Sequence, residues 1–333
     1  MSASPPHTPR NPAFAPVWTL ASLCLLGAVA PLLAQPARDP SAHAVGYVRS
    51  GDARLHYLTW GTAGPTVILL PGYSLTAHAF DDIGERLAPR ARVVALTPRG
   101  FGESDAPDSS AYTITTLVAD LRALMDSLRI ARATLVGHSL SGAVVAAFAL
   151  RYPGRVTQLV LLDAHPYLQS VGGDSIMEHD PVQPPPFQGD TTHDAVIAYL
   201  KRYRYIPWRP ALAADARAKP LGAEPDRRRR LTEGYIADQW KAPPDLRALT
   251  VPALQVCAMP SVSSEYPWLT RADTAYPAAA RYVTRELRPF QRRLCAHFAA
   301  TVPRGRTRVV EGSHYLFFTE PALTARIVRS VLR

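Results

Sequence analysis

Six short apolar runs punctuate this chain: Thr66–Leu70, Ala91–Leu96, Ala133–Val136, Val156–Leu162, Pro252–Cys257 and Thr307–Val310. Each reads as a strand; Thr66–Leu70, a continuous apolar run, is typical of one covered on both faces, and Val156–Leu162 reads as another buried strand. Between them stand helix-like stretches, over about 79–88, 114–128, 143–151 and 278–301, with a last one from Pro321. Strands that alternate with helices require right-handed crossovers, hence a mostly parallel central sheet with helices on both faces. Residues 44–60 alternate around Ser50-Gly51-Asp52 and predict a hairpin ahead of that sheet.

Two regions break the rhythm. From Pro166 to about Leu249 prolines are frequent and no strand is convincing, but helices fit near 192–203 and 225–240. This reads as a helical insertion, residues 166–249, dividing a core of residues 44–165 and 250–333. Most of its aromatic residues, Tyr167, Tyr199 and Tyr203 among them, are expected to pin it to the core. At the other break, residues 17–34 run without a charge after Arg10 and end in small residues, the pattern of an export signal. Cleavage after Ala34 fits, with residues 35–43 as a linker; the same stretch, left in place, is nearly long enough to anchor in a bilayer. Export would put Cys257 and Cys295 in an oxidising compartment. Cys257 ends a predicted strand and Cys295 comes late in a helix running back beside the sheet, so two separate buried thiols are expected. The net charge of +10 comes almost wholly from arginine, and its densest run, Arg227–Arg230, reads as a solvated helix face. No basic and aromatic alternation suited to nucleic acid is present.

The chemistry gathers where Ala133-Thr134-Leu135-Val136-Gly137-His138-Ser139-Leu140-Ser141-Gly142 passes from strand to helix. A hydroxyl at that corner is lifted over the sheet edge, with the helix's free amides aimed at it. Three further segments stand at strand ends in order: Leu70-Pro71-Gly72-Tyr73, Arg99-Gly100-Phe101-Gly102-Glu103-Ser104-Asp105 and Glu311-Gly312-Ser313-His314-Tyr315. With these four, the chain from about residue 45 onward resembles the α/β-hydrolase superfamily, with a cap inserted after the sixth strand. It departs from the pattern twice: Ser141 stands where the elbow usually has its second glycine, and Pro71 where many relatives have a histidine.

The resemblance implies Ser139 as nucleophile, His314 as its base, and Tyr73 and Leu140 as backbone donors to an oxyanion. The acid has two candidate places. After the strand at 252–257 the family position falls near Ser261, where no carboxylate stands, with Glu265 the nearest fallback. After the preceding strand stands Asp163, the preferred residue. His138 is expected to point away into packing; His78, His165 and His297 show no spacing that clusters metal ligands. A serine at the elbow sets the chain apart from relatives resembling epoxide hydrolases and haloalkane dehalogenases, which use aspartate there. What remains is acyl chemistry: an ester hydrolase working through an acyl-enzyme, with amide cleavage, acyl transfer or a low-turnover binding protein as alternatives. No metal or organic cofactor is implied. The expected partner is a small acyl substrate, and a membrane only if residues 17–34 stay attached.

Overall fold

The computed structural model describes residues 42–107, 112–168, 176, 179–185, 193–204, 212 and 243–332. The hairpin predicted at 44–60 forms as β1 (Ala44–Ser50) and β2 (Ala53–Trp60). The six apolar runs become β3 (Thr66–Leu70), β4 (Arg92–Leu96), β5 (Ala133–His138), β6 (Val156–Leu162), β7 (Ala253–Met259) and β8 (Gly305–Glu311). They join in one eight-stranded sheet ordered β1-β2-β4-β3-β5-β6-β7-β8. Pairings of β2 with β1 and β4 are antiparallel, and all the others are parallel.

Successive residues of each buried strand point to opposite faces and so feed two cores. Ile68, Leu70, Leu135, Leu159 and Leu161 join one, against α2 (Ile114–Ser127) and α3 (Ser141–Arg151). Val67, Leu69, Val136, Val160 and Leu162 join the other, against α1 (Asp81–Leu87) and, at the C-terminus, a helix over Pro321–Arg329. Apolar side chains on both faces of one strand are what a sheet sandwiched between helices demands. Of the insertion, one helix is described, α4 (His193–Arg204), matching the stretch expected at 192–203. The helix expected at 225–240 lies outside the described residues, as does the 17–34 segment. No helix among the described residues is long and apolar enough to cross a membrane. The aromatic pinning runs in both directions: Tyr203 meets Trp268 edge-on at 5.6 Å, while the core's Tyr266 donates to Asp180 and Tyr282 to the Ile176 carbonyl.

The helix expected at 278–301 is longer and interrupted. After a short turn, α5 (Val262–Glu265), come α6 (Tyr276–Tyr282), a π-helical segment (Val283–Leu287) and α7 (Arg288–Thr301). Pro289 has no N–H to return to the carbonyl four residues back, and the helix widens just before it.

The expectation of two separate thiols is overturned: Cys257 and Cys295 form a disulfide, with Cα atoms 6.4 Å apart. Cys257 is in the middle of β7, which runs on to Met259, and Cys295 is in the middle of α7, which packs against that strand. Two antiparallel elements laid side by side bring their middles together, so neither cysteine sits at an end of the domain. Closing a 38-residue separation removes about 4 kcal/mol of chain entropy from the unfolded state. Reduction, or the Cys257→Ala/Cys295→Ala pair, is therefore expected to lower the denaturation midpoint by several degrees, read by thermal melts with and without dithiothreitol.

A second expected outcome concerns acid. His56 on β2 is buried, and burial pulls its pKa down from 6.5 to about 4. The unfolded chain then takes up a proton first as the pH falls. The stability tied to neutral His56 is whole above about pH 6.5 and disappears between 6.5 and 4, about 3 kcal/mol over that window. His56→Gln should flatten the fall in urea midpoint between pH 7 and pH 4; an unchanged slope would assign it to other groups.

Candidate active site

β5 delivers Ser139 to the sheet's edge. The turn is tight because α3 starts two residues later, and Ser139 takes φ +53°, a left-handed conformation uncommon outside glycine. Small neighbours make room for it. A Cβ on Gly137 would meet Val145 Cγ2 at 2.6 Å and the Ser141 carbonyl oxygen at 2.8 Å; one on Gly142 would meet Ala164 Cβ at 2.5 Å. Gly72, in the loop after β3, faces the nucleophile candidate directly, since a Cβ there would lie 2.9 Å from Ser139 Cβ. Leu140 is the N-cap of α3, where an N–H has no acceptor within its own helix. Tyr73 follows Gly72, its ring held edge-on at 5.5 Å by Phe101 of the Arg99–Ser104 turn. That turn is fixed by a buried pair: Arg99 Nε and Nη2 donate to the two oxygens of Asp120, at 2.7 and 2.6 Å.

The two departures from the superfamily pattern meet each other. Ser141 Oγ donates to the carbonyl of Pro71, tying the start of the elbow helix to the loop that carries Tyr73. A glycine at 141 could not make this bond. Nothing local in the sequence announces this bond, because its partner lies 70 positions away.

After β6, Asp163 also sits at positive φ, +43°, and is buried. Its N–H donates to the Val256 carbonyl at 2.8 Å, and its Oδ1 accepts from the Ala258 N–H at 2.9 Å, so the neighbouring β7 holds both backbone and side chain. Oδ2 lies 2.7 Å from His314 Nδ1. His165 Nε2 is 3.5 Å from Oδ1, and its Nδ1 is 3.3 Å from the hydroxyl of Tyr167. Burial pushes the Asp163 carboxyl up, but the close His165 ring and the hydrogen bond from His314 outweigh it and hold the group well below the usual carboxylate range. A carboxylate in this setting stays charged throughout neutral pH. At the other candidate place, Ser261 caps α5 by accepting from the Ser264 N–H at 3.1 Å, and Glu265 is exposed.

His314 follows β8 and keeps its ring partly open to solvent. His138 supports it from below, with ring centroids 4.5 Å apart and His138 Nε2 3.0 Å from the His314 carbonyl oxygen. Burial drives the His138 pKa well down, so this ring is neutral and its Nε2–H donates. The packing role expected for His138 thus includes a hydrogen bond that fixes the histidine loop. The expectation that His78, His165 and His297 are not clustered as metal ligands needs correcting at His78, which lies beside His43 and Asp81. The signal was hidden because His43 comes from a segment 35 residues earlier.

Comparisons with known proteins agree with this architecture. Residues 65–192 match the family model described as the alpha/beta hydrolase fold. The chain is 34% identical to mouse epoxide hydrolase 4 over 146 residues, 42% of this chain and 40% of that one. It therefore spans well under half the length of such a curated relative. Among solved structures, a probable hydrolytic enzyme from Pseudomonas aeruginosa superimposes with a TM-score of 0.60 at 20% identity, covering 88% of this chain and 95% of the other. The enol-lactonase of Burkholderia xenovorans does so with a TM-score of 0.57 at 20% identity, covering 86% and 99%. Strand order and the family match over residues 65–192 agree that this chain has the α/β-hydrolase fold.

Proposed function

We propose that the chain is an exported serine hydrolase that cleaves carboxylic esters, lactones included, through an acyl-enzyme. The observation that carries the reading is His314 bonded to a buried, ionised Asp163, together with Ser139 at a left-handed elbow where β5 ends. Ser139 Oγ attacks the carbonyl carbon while His314 Nε2 takes its proton. The negative charge forming on the carbonyl oxygen is met by the N–H groups of Leu140 and Tyr73. Asp163 keeps the His314 Nδ1–H oriented and stabilises the imidazolium without taking the proton itself. His314 returns the proton to the departing alkoxide, and water repeats the sequence in reverse to free the acid. Ser139 argues against the epoxide chemistry in the name of the mouse relative, because a hydroxyl is not the carboxylate that opens an epoxide ring in the enzymes of that type that this chain resembles. Export is supported by the Cys257–Cys295 pairing, since disulfides persist in oxidising compartments.

A panel of p-nitrophenyl esters of graded acyl length, γ-lactones, an anilide and styrene oxide tests the reading. Hydrolysis of an ester or lactone, with rapid labelling of Ser139 by a fluorophosphonate, is the expected result. Opening of the epoxide without ester turnover, or no labelling of the folded protein, would overturn it.

A further inference from the structure

Three side chains from separate segments converge beneath the hairpin: His43, just before β1; His78, in the 3-10 turn Ala77–Phe80; and Asp81, the first residue of α1. Each can present one ligating atom such that all three lie within 4.8 Å of one another. Asp81 is buried and faces one imidazole with each oxygen: Oδ1 is 3.7 Å from His43 Nδ1 and Oδ2 is 3.2 Å from His78 Nδ1. The first separation is too long for a hydrogen bond. The second is a hydrogen bond that orients the His78 ring, whereas the first is near the spacing of about 3.3 Å that a zinc-sized ion imposes between tetrahedral ligands at about 2.0–2.1 Å.

We propose that His43, His78 and Asp81 form a binding site for a single zinc-class divalent cation. Two imidazoles and one carboxylate are a donor set that such ions take readily and that calcium or magnesium does not favour. Asp81 supplies a second, independent reason. Its Oδ1 has no hydrogen-bond partner among the described residues although the side chain is almost wholly buried. Leaving a buried carboxylate oxygen unsatisfied is costly, and an ion between the two rings removes that cost. The Trp60 ring packs edge-on against His43 at 5.7 Å, and its Nε1 is likewise buried without a hydrogen bond among the described residues. The nearby His56 is engaged with Thr97 through Nδ1 at 2.9 Å, and its ring centroid is 5.9 Å from that of His78, so it acts as a neighbour and not as a fourth ligand. An ion here would staple the start of the edge hairpin to the segment that follows the Tyr73 loop. Its role is structural, because the three ligands belong neither to the nucleophile elbow nor to the His314 loop.

The test uses the whole chain after EDTA treatment and desalting. Co2+ is titrated in and followed by visible absorption; Zn2+ is followed by thermal melting and calorimetry. Expected are one equivalent bound, tetrahedral or five-coordinate Co2+ bands abolished by Zn2+, and a melting point several degrees higher at saturating Zn2+. His43→Gln and Asp81→Asn should each weaken binding at least about tenfold, whereas His314→Ala should bind as the parent does. If Asp81→Asn fails to fold, His43→Gln, at the sheet's margin, decides alone. No stoichiometric binding by the parent overturns the proposal. So does binding that survives in His43→Gln, or binding that His314→Ala removes.

Discussion

Ser139→Ala is expected to lower ester turnover by at least about 10⁴-fold and to abolish fluorophosphonate labelling while the chain stays folded. A nucleophile has no substitute at its position, and losses of this order, about 5.5 kcal/mol or more in the barrier, follow its removal. On the proposed mechanism, what survives is what bound substrate gains from the Leu140 and Tyr73 amides alone. Stability should move the other way. Ser139 holds φ +53° because the junction of β5 and α3 compels it, at a cost of about 1–3 kcal/mol. Ser139→Gly removes the side chain that is strained there and should be equally inactive but unfold at a higher denaturant concentration than Ser139→Ala. The comparison of the two variants by urea titration separates the chemical role from the conformational one. Turnover within tenfold of the parent in either variant would sink the nucleophile assignment.

Asp163→Asn is expected to reduce kcat by about 10³–10⁴-fold with little change in KM. Asparagine can still accept from the Ala258 N–H, which preserves the fold of the loop, but it cannot balance the charge that His314 acquires. Stability also changes, with a definite dependence on pH. The Asp163 pKa is lower in the folded chain than in the unfolded one, so its ionised form stabilises the fold above the ordinary carboxylate range. That contribution drains away as the pH falls through the depressed folded value. Parent and variant should therefore differ in urea midpoint at pH 7 and converge in strong acid. Glu265→Gln, by contrast, removes an exposed carboxylate on α5 and should leave kcat within about twofold of the parent. A large loss in Glu265→Gln with none in Asp163→Asn would reverse the assignment of the acid.

Two residues show how far the two assignments depended on distance along the chain. Ser139 was legible from its immediate neighbours, because a strand-to-helix corner needs Gly137 on one side and small residues on the other whatever the rest of the chain does. Ser141 was not, because its hydrogen bond reaches the Pro71 carbonyl across the sheet's edge. The disulfide escapes the sequence for the same reason. The strand and helix bearing the two cysteines could be placed in sequence, but their relative slide could not, and β7 running on to Met259 moved Cys257 from an end to a middle.

By itself, then, the amino-acid order determined the sheet, its alternation with helices, the corner at Ser139 and the loop bearing His314, since apolar periodicity and backbone sterics act over a few residues. Only the folded molecule decided between Asp163 and Glu265 as the partner of His314, joined Cys257 to Cys295 and gathered His43, His78 and Asp81. Those pairings depend on register and helix slide, which are set by how whole elements pack and leave no mark in the residues between them.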